Sequence, residues 1–332
     1  MSRKEIQLSD GTLVSEREYK KRIDKSFEKG LSEVTQEEMK ILDSTNVTVD
    51  FILVDSIPVD TTKKNRFLVL DLRTNLTFES QVKPNKTNLD WLPYMGFRNS
   101  PNYSFMAGEK LVYRIHYGFV DAGLATLKVE DSPYKFAGRD AYKIVGTGKS
   151  TGSVDWFFKV RDHYETHIDK QGIFPYRFLR NCDEGGYIIR QDYTFFPDKR
   201  AFKNIKNDTY SSPDFVQDML SAYYYARTLD YSNCKIGDVF SITTLVDDEI
   251  YTLKMKYIGR ETITIESGTF RCIKFVPVLQ KGRVFKEEQD LTVWITDDLN
   301  HIPVLAEAEI LVGSVKMELK EFGGIRNPMA KL

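Results

Sequence analysis

KLVYRIHYG, residues 110–118, decides the fold. Leu111, Tyr113, Ile115 and Tyr117 alternate there with Val112, Arg114 and His116. A period of two residues belongs to a β-strand whose faces meet different surroundings. Similar short runs follow downstream: LATLKVE (124–130), DAYKIVGTG (140–148), VDWFFKV (154–160), HYETHID (163–169), PYRFLRN (175–181) and GYIIRQDYTFF (186–196). After residue 237 they resume with DVFSITTLV, EIYTLKMKYIG, TITIES, TFRCIKFVPVL, QDLTVWIT, VLAEAEILV and GSVKMELKEF. Short polar breaks separate them and no strand–helix–strand spacing appears, which predicts an antiparallel sheet.

One segment interrupts the strands, SSPDFVQDMLSAYYYARTLD. Ser212 as cap, Pro213 in the first turn and Asp214 near the N-terminus predict a helix over 213–229. A lone amphipathic helix in a β protein covers a sheet or plugs the end of a curved one. The first ninety residues differ. VSEREYKKRIDKSFEKG and VTQEEMKIL carry helix-start signals, and VTVDFILVDSIPV and RFLVLDLRTNLTF read as strands. QVKPNKTNLDWLP reads as a linker or an ordered arm, and GGIRNPMAKL as a frayed tail.

Composition narrows the function classes. The chain has 332 residues, 41% hydrophobic and 29% charged, with a net charge of −1. No global positive field is available for nucleic acid. Cys182, Cys234 and Cys272 form no CxxC pair, and three cysteines make no disulfide scaffold. No stretch is long enough for a membrane span, and MSRKEIQLSD has no apolar targeting segment. Read literally, this is a soluble cytoplasmic chain, although a chain relieved of an export signal reads the same.

FMAGEKLVYRIHYGFVDAG (105–123), DMLSAYYYARTLD (218–230), KIGDVFSI (235–242) and VWITDDLNHIPVLAEAEILVGSVKMEL (293–319) together resemble the DUF3108 family. The resemblance covers roughly residues 103–322 and leaves the first hundred unmatched. It implies a bacterial protein, often exported and well represented in Bacteroidetes, hence a periplasmic or cell-envelope location. It brings no catalytic residues.

Candidate chemistry is sparse. In DHYETH (162–167), extended backbone puts His163, Glu165 and His167 on one face. They are candidate metal ligands, but the two imidazoles lie about 13 Å apart along a strand. A solvated strand face is the first reading. GTGKSTG (146–152) lacks the spacing of a phosphate loop. Cys182, read as lying in a turn beside Asp183 and Glu184, has surroundings that raise a thiol pKa rather than lower it. Trp156 and Phe158 on a strand, with Tyr223 and Tyr224 on the helix, suggest an aromatic lining for an apolar ligand or lipid.

These readings combine into a mainly β chain. A small α/β N-terminal segment (1–90) and a linker (91–102) precede a curved antiparallel sheet or open barrel-like domain (103–322) with one packed helix, and a flexible tail (323–332) follows. The expected function is a non-catalytic cell-envelope binding or assembly protein without a cofactor. The alternatives are a metal-assisted hydrolase using the His163/Glu165/His167 face, and a structural subunit docking an envelope protein partner through its N-terminal region.

Overall fold

The computed structural model describes residues 5–7, 13–15, 82–278, 291–309 and 314–332. Of the N-terminal expectations, the described residues hold only a small pair, β1 (Glu5–Gln7) with β2 (Leu13–Ser15). The helices and strands predicted up to residue 81 otherwise lie outside them.

Fourteen strands form one antiparallel sheet. The first run is β3 (Lys110–Tyr117), β4 (Val120–Asp131), β5 (Ala141–Ser150), β6 (Val160–Asp169), β7 (Pro175–Glu184), β8 (Tyr187–Phe196), β9 (Ala201–Lys203) and β10 (Thr209–Ser211). The second is β11 (Val239–Val246), β12 (Glu249–Ile265), β13 (Gly268–Pro277), β14 (Leu291–Thr296), β15 (Pro303–Glu309) and β16 (Ser314–Gly323). Each run is a meander. The last strand, β16, pairs with the first, β3, in the middle of the sheet, which leaves β10 and β11 as the edges.

Those edges do not pair with each other, yet the sheet coils until they are close. Phe178, Tyr193, Phe195 and Phe202 of β7–β9 share one buried cluster with Leu245 and Ile250 of β11 and β12. Two pieces of chain occupy the seam. Val82 exchanges backbone hydrogen bonds with Ile250 at 3.0 Å, and five residues on Thr87 N–H donates to Thr209 at 3.0 Å. Gln217 N–H donates to Thr243 at 2.9 Å and its carbonyl accepts from Leu245 at 2.7 Å. Edge groups that would template aggregation are thus partly satisfied. The result is the curved, open barrel-like sheet that the alternation predicts.

The helices depart from expectation. α1 (Gly152–Phe157) replaces the strand predicted over VDWFFKV, so Trp156 and Phe158 do not share a strand face. Asp155 accounts for the reversal: Ser150 Oγ donates to it at 2.6 Å, as does Arg161 Nη1, clasping the β5–β6 connection. α2 (Met219–Arg227) begins six residues later than predicted. Phe215 adopts φ +49° and Gln217 joins the β11 ladder, so a helix cannot run through them. Asp218 caps instead. Its Oδ1 accepts from Leu220 and Ser221 N–H at 2.8 and 2.9 Å, while its own N–H donates to Ser221 Oγ at 2.7 Å. Leu220, partly buried, then packs against two core clusters.

Chain segments at both ends of the domain are fixed. In the expected linker, Arg98 donates to the carbonyls of Gly172 and Ile173 at 2.8 Å, and Phe97 stacks on Phe174. The tail predicted to be flexible is docked. Ala330 is buried, Arg271 N–H donates to its carbonyl at 2.9 Å, and Asp298 accepts from its N–H at 2.5 Å. Asp298 also accepts from Asn300 N–H at 2.8 Å.

At the centre lies a buried ion pair. Arg227, the last residue of α2, donates two hydrogen bonds to the Glu109 carboxylate at 2.6 and 2.7 Å. Both side chains are almost fully excluded from water, at 2% and 0% exposure. Arg227 Nε also donates to the Asn300 carbonyl at 2.9 Å, and Ser104 Oγ donates to the Arg227 carbonyl at 2.6 Å. Burial works against the Arg227 charge, and Glu109 beside it more than offsets that effect.

Removing one partner of such a pair leaves a buried charge uncompensated, at a cost of about 3–5 kcal/mol. Arg227→Met is therefore expected to lower unfolding free energy by that amount in urea titrations. Arg177→Met, which breaks the more exposed pair with Asp192 at 2.9 Å, should cost less than about 1 kcal/mol. Equal losses in the two variants would refute the central role of Arg227.

Candidate functional site

The ladder from β5 to β8 sets the geometry. Its register aligns Gly148, Asp162, Cys182 and Ile189 in one row, and Thr147, His163, Asn181 and Arg190 in the next. Adjacent rows point to opposite faces. Asp162, Cys182 and Ile189 are buried, whereas Thr147, His163, Asn181 and Arg190 are exposed.

On the outer face, DHYETH forms an ion-pair ladder. Glu165 lies between its two histidines, with His167 Nε2 at 3.0 Å and His163 Nε2 at 3.9 Å. Lys143 Nζ is 3.0 Å from the same carboxylate. His167 Nδ1 is 2.9 Å from Ser132 Oγ, so both ring nitrogens already have protein partners. His163 is exposed, but His167 is buried, which corrects the expectation of a wholly solvated face. The β4–β5 connection covers it, with Phe136 and Tyr134 packed near its ring at 5.5 and 6.1 Å. Burial lowers the His167 pKa. It also tends to raise that of Glu165, but the bonds from Lys143 and His167 more than offset this and hold Glu165 low.

The four aromatic candidates are not brought together. Trp156 stands on α1 with 73% of its surface exposed, and Phe158 is half-buried where it crowds Gly185. Tyr224 is fully buried on α2, edge-on to Phe105 at 4.8 Å, and Tyr223 shares a 2.8 Å hydrogen bond with Tyr113. The tyrosines therefore belong to the core, and the predicted joint lining is not formed.

Two features escaped the sequence reading. The first lies on the inner face, where Asp162, Cys182 and Glu184 place their ligand-type atoms within 4.8 Å of one another. Cys182 is in a strand, not in the turn expected for it. Burial and Glu184 push Asp162 up to about 7, and burial pushes the Cys182 thiol up to about 11. Arg180 is buried beside them, its Nη2 3.6 Å from Glu184. Alternation from His163 would have put Asp162 on the opposite face. The second feature is an outer trough of about 500 Å³ across β4–β8. Leu124 and Ile188 line it together with Lys149, His163, Asn181 and Arg190. Lys149 and Arg190 are exposed and have no ion-pair partner among the described residues.

An open, coiled antiparallel sheet with one helix packed into its core defines a barrel-like β protein. The family model described as "Protein of unknown function (DUF3108)" matches residues 112–320, and the chain belongs to that family. No curated protein matches it. Among solved structures, it is similar to the beta-barrel-like protein of domain of unknown function DUF1849 from Brucella abortus. That similarity has a TM-score of 0.45 and 10% identity, over 68% of this chain and 98% of the other. It is also similar to a DUF1089 family protein from Pseudomonas aeruginosa, with a TM-score of 0.31 and 6% identity, over 54% and 87% of the two chains. Similarity at this level carries no functional information. No helix among the described residues is long and apolar enough to cross a membrane.

The buried imidazole generates a pH prediction. With the folded His167 pKa below the ordinary value near 6.5, the unfolded chain binds its proton first as pH falls. Stability should therefore drop as pH is lowered from about 7.5 to 5.5. His167→Gln, which keeps a donor for Glu165 and an acceptor for Ser132, should lose less over that interval in paired urea titrations. Parallel losses in the two proteins would contradict the assignment.

Proposed function

We propose that this chain is a non-catalytic binding protein of the bacterial cell envelope that holds a lipid with an anionic headgroup in the outer trough. The observation that carries the reading is the pairing of unlike surfaces there. Lys149 and Arg190 have no ion-pair partner among the described residues, and together with Arg161 they outnumber Asp183 on the trough's outer lining, beside the apolar Leu124 and the partly exposed Ile188. Such a surface attracts an anion and removes adjoining methylenes from water, each worth about 0.8 kcal/mol. Exposed aromatics stand near the same end of the sheet. Phe119 is fully exposed in the β3–β4 turn, and α1, which carries Trp156, packs against the start of β4. Aromatic tips of this kind suit a lipid–water boundary. On this reading the ligand lies outside the sheet rather than between aromatic rows within it. The envelope location rests on membership of a family whose proteins are often exported.

Vesicle co-sedimentation tests this directly. The chain should bind phosphatidylglycerol vesicles at least tenfold more tightly than phosphatidylcholine vesicles, with binding weakened by salt. Lys149→Glu combined with Arg190→Glu should abolish the preference. Trp156 emission should shift to the blue on binding and the shift should be absent in Trp156→Phe. Equal binding of both vesicle types, or an unaffected double variant, would overturn the proposal.

A further inference from the structure

We infer that Asp162, Cys182 and Glu184 form a site for one thiophilic divalent cation, of which zinc is the natural example, inside the sheet behind the trough. This site adjoins the trough, whose lining includes Asp162 and Cys182, but the lipid reading rests on Lys149 and Arg190 and needs none of its three side chains.

Strand register brings the three donors together. Asp162 on β6 is the direct partner of Cys182 on β7, and Glu184 follows two residues later on the same face. Their ligand-type atoms lie within 4.8 Å of one another. Zinc bonds of about 2.0–2.3 Å in tetrahedral geometry place ligand atoms roughly 3.3–3.8 Å apart, so a small rotamer adjustment closes the set. Three protein donors leave a fourth position for water. Sulfur with two carboxylates favours zinc or cobalt over magnesium or calcium, which take oxygen alone.

Unsatisfied polar atoms point to the same place. Asp162 is only 7% exposed, yet its Oδ1 has no hydrogen-bond partner. A buried carboxylate oxygen without a donor is costly, and a cation removes that cost. Its cross-strand neighbour supplies nothing, because it is Gly148. A Cβ there would lie 3.6 Å from Asp162 Oδ2, in the space over the carboxylate. The glycine pattern of GTGKSTG, unsuited to phosphate, thus leaves room beside the aspartate.

Charge closes the account. A divalent cation with two carboxylates and one thiolate carries a net charge of −1. Arg180, buried to 2% exposure, contributes +1 beside it and offsets that charge, although it is shared with Asp247 at 3.6 Å. Its Nε has no hydrogen-bond partner and can donate to metal-bound sulfur or oxygen, while its Nη1 lies 3.6 Å from Asp247 Oδ1. The histidines of DHYETH take no part, since they lie on the opposite face and are engaged with Glu165.

The test is titration of the chelator-stripped full chain with Co²⁺ and Zn²⁺. One equivalent of cobalt should bind with a thiolate-to-metal charge-transfer band in the near ultraviolet, and zinc should displace it. Cys182→Ser should abolish the band, and Asp162→Asn should weaken cobalt binding at least tenfold. Cys234→Ser and the pair His163→Ala with His167→Ala should leave band and affinity unchanged. A folded wild-type chain that shows no band would overturn the site. So would a band that survives Cys182→Ser, or one that is lost with Cys234 or the histidines. Should Cys182→Ser fail to fold, Asp162→Asn decides, and unchanged cobalt affinity there overturns the inference. Vesicle binding by a chain that takes up no metal would separate failure here from failure of the lipid reading.

Discussion

The ion pair between Glu109 and Arg227 is the contact on which the architecture depends. Glu109 immediately precedes β3, and Arg227 ends α2. Arg227 also donates to the Asn300 carbonyl, just before β15, and His301 Nδ1 lies 2.7 Å from the Arg227 carbonyl. One guanidinium therefore ties the first strand of the large sheet, the helix joining its two meanders, and a turn of the second meander. Burying this charge has a large desolvation cost, so the geometry must be fully satisfied for the fold to tolerate it. Bidentate pairing and the added carbonyl acceptors meet that condition. The result is specificity, since any arrangement that separates these segments strands a charge in the core.

The same connections explain why the family resemblance gathers at particular residues. Gly108 takes φ +99°, and Gly324 approaches so closely that a Cβ there would lie 2.0 Å from the Gly108 carbonyl oxygen. Both glycines serve the junction where β3 begins and β16 ends. Tyr113 reaches Tyr223 across the interior, and Asn300 holds the tail by accepting from Asn327 N–H at 2.9 Å. The motif residues read from the sequence thus mark a structural junction, while the trough and the buried Asp162 cluster lie elsewhere on the sheet.

Much of this was legible from alternation. Period-two patterning states that a segment has two unlike faces. Leu111 and Tyr113 are in the core, but Val112 is buried as well, and past the pairing shift between Ile115 and His116 it is His116 that is buried and Tyr117 that is exposed. What failed was decided by distant partners. Ser212 and Asp218 are both competent helix caps. Asp218 prevails because Gln217 completes hydrogen bonds with β11, more than twenty residues further on. VDWFFKV is apolar enough for a strand, but Asp155 is drawn into a clasp with Ser150 and Arg161. At the candidate site, imidazole chemistry drew attention to His163 and His167, while the buried carboxylate without a hydrogen-bond partner on one oxygen is Asp162, next to His163. Alternation separates those residues onto two faces without saying which face is interior. The pairing of Asp162 with Cys182 depends on the β6–β7 register, which pattern alone does not supply.

The union of β3 with β16 has a consequence for the order of assembly. These strands are about two hundred residues apart in the chain, yet they are neighbours in the middle of the sheet. On a chain emerging from the ribosome, β3 through β10 can zip together hairpin by hairpin. The free side of β3 must wait until β16, some two hundred residues later, has been made. Loop closure over such a separation is slow, and high contact order lengthens folding time. The nascent chain therefore carries one long strand edge unpaired while the strands between are made, and only the last segment of the sheet can seal it.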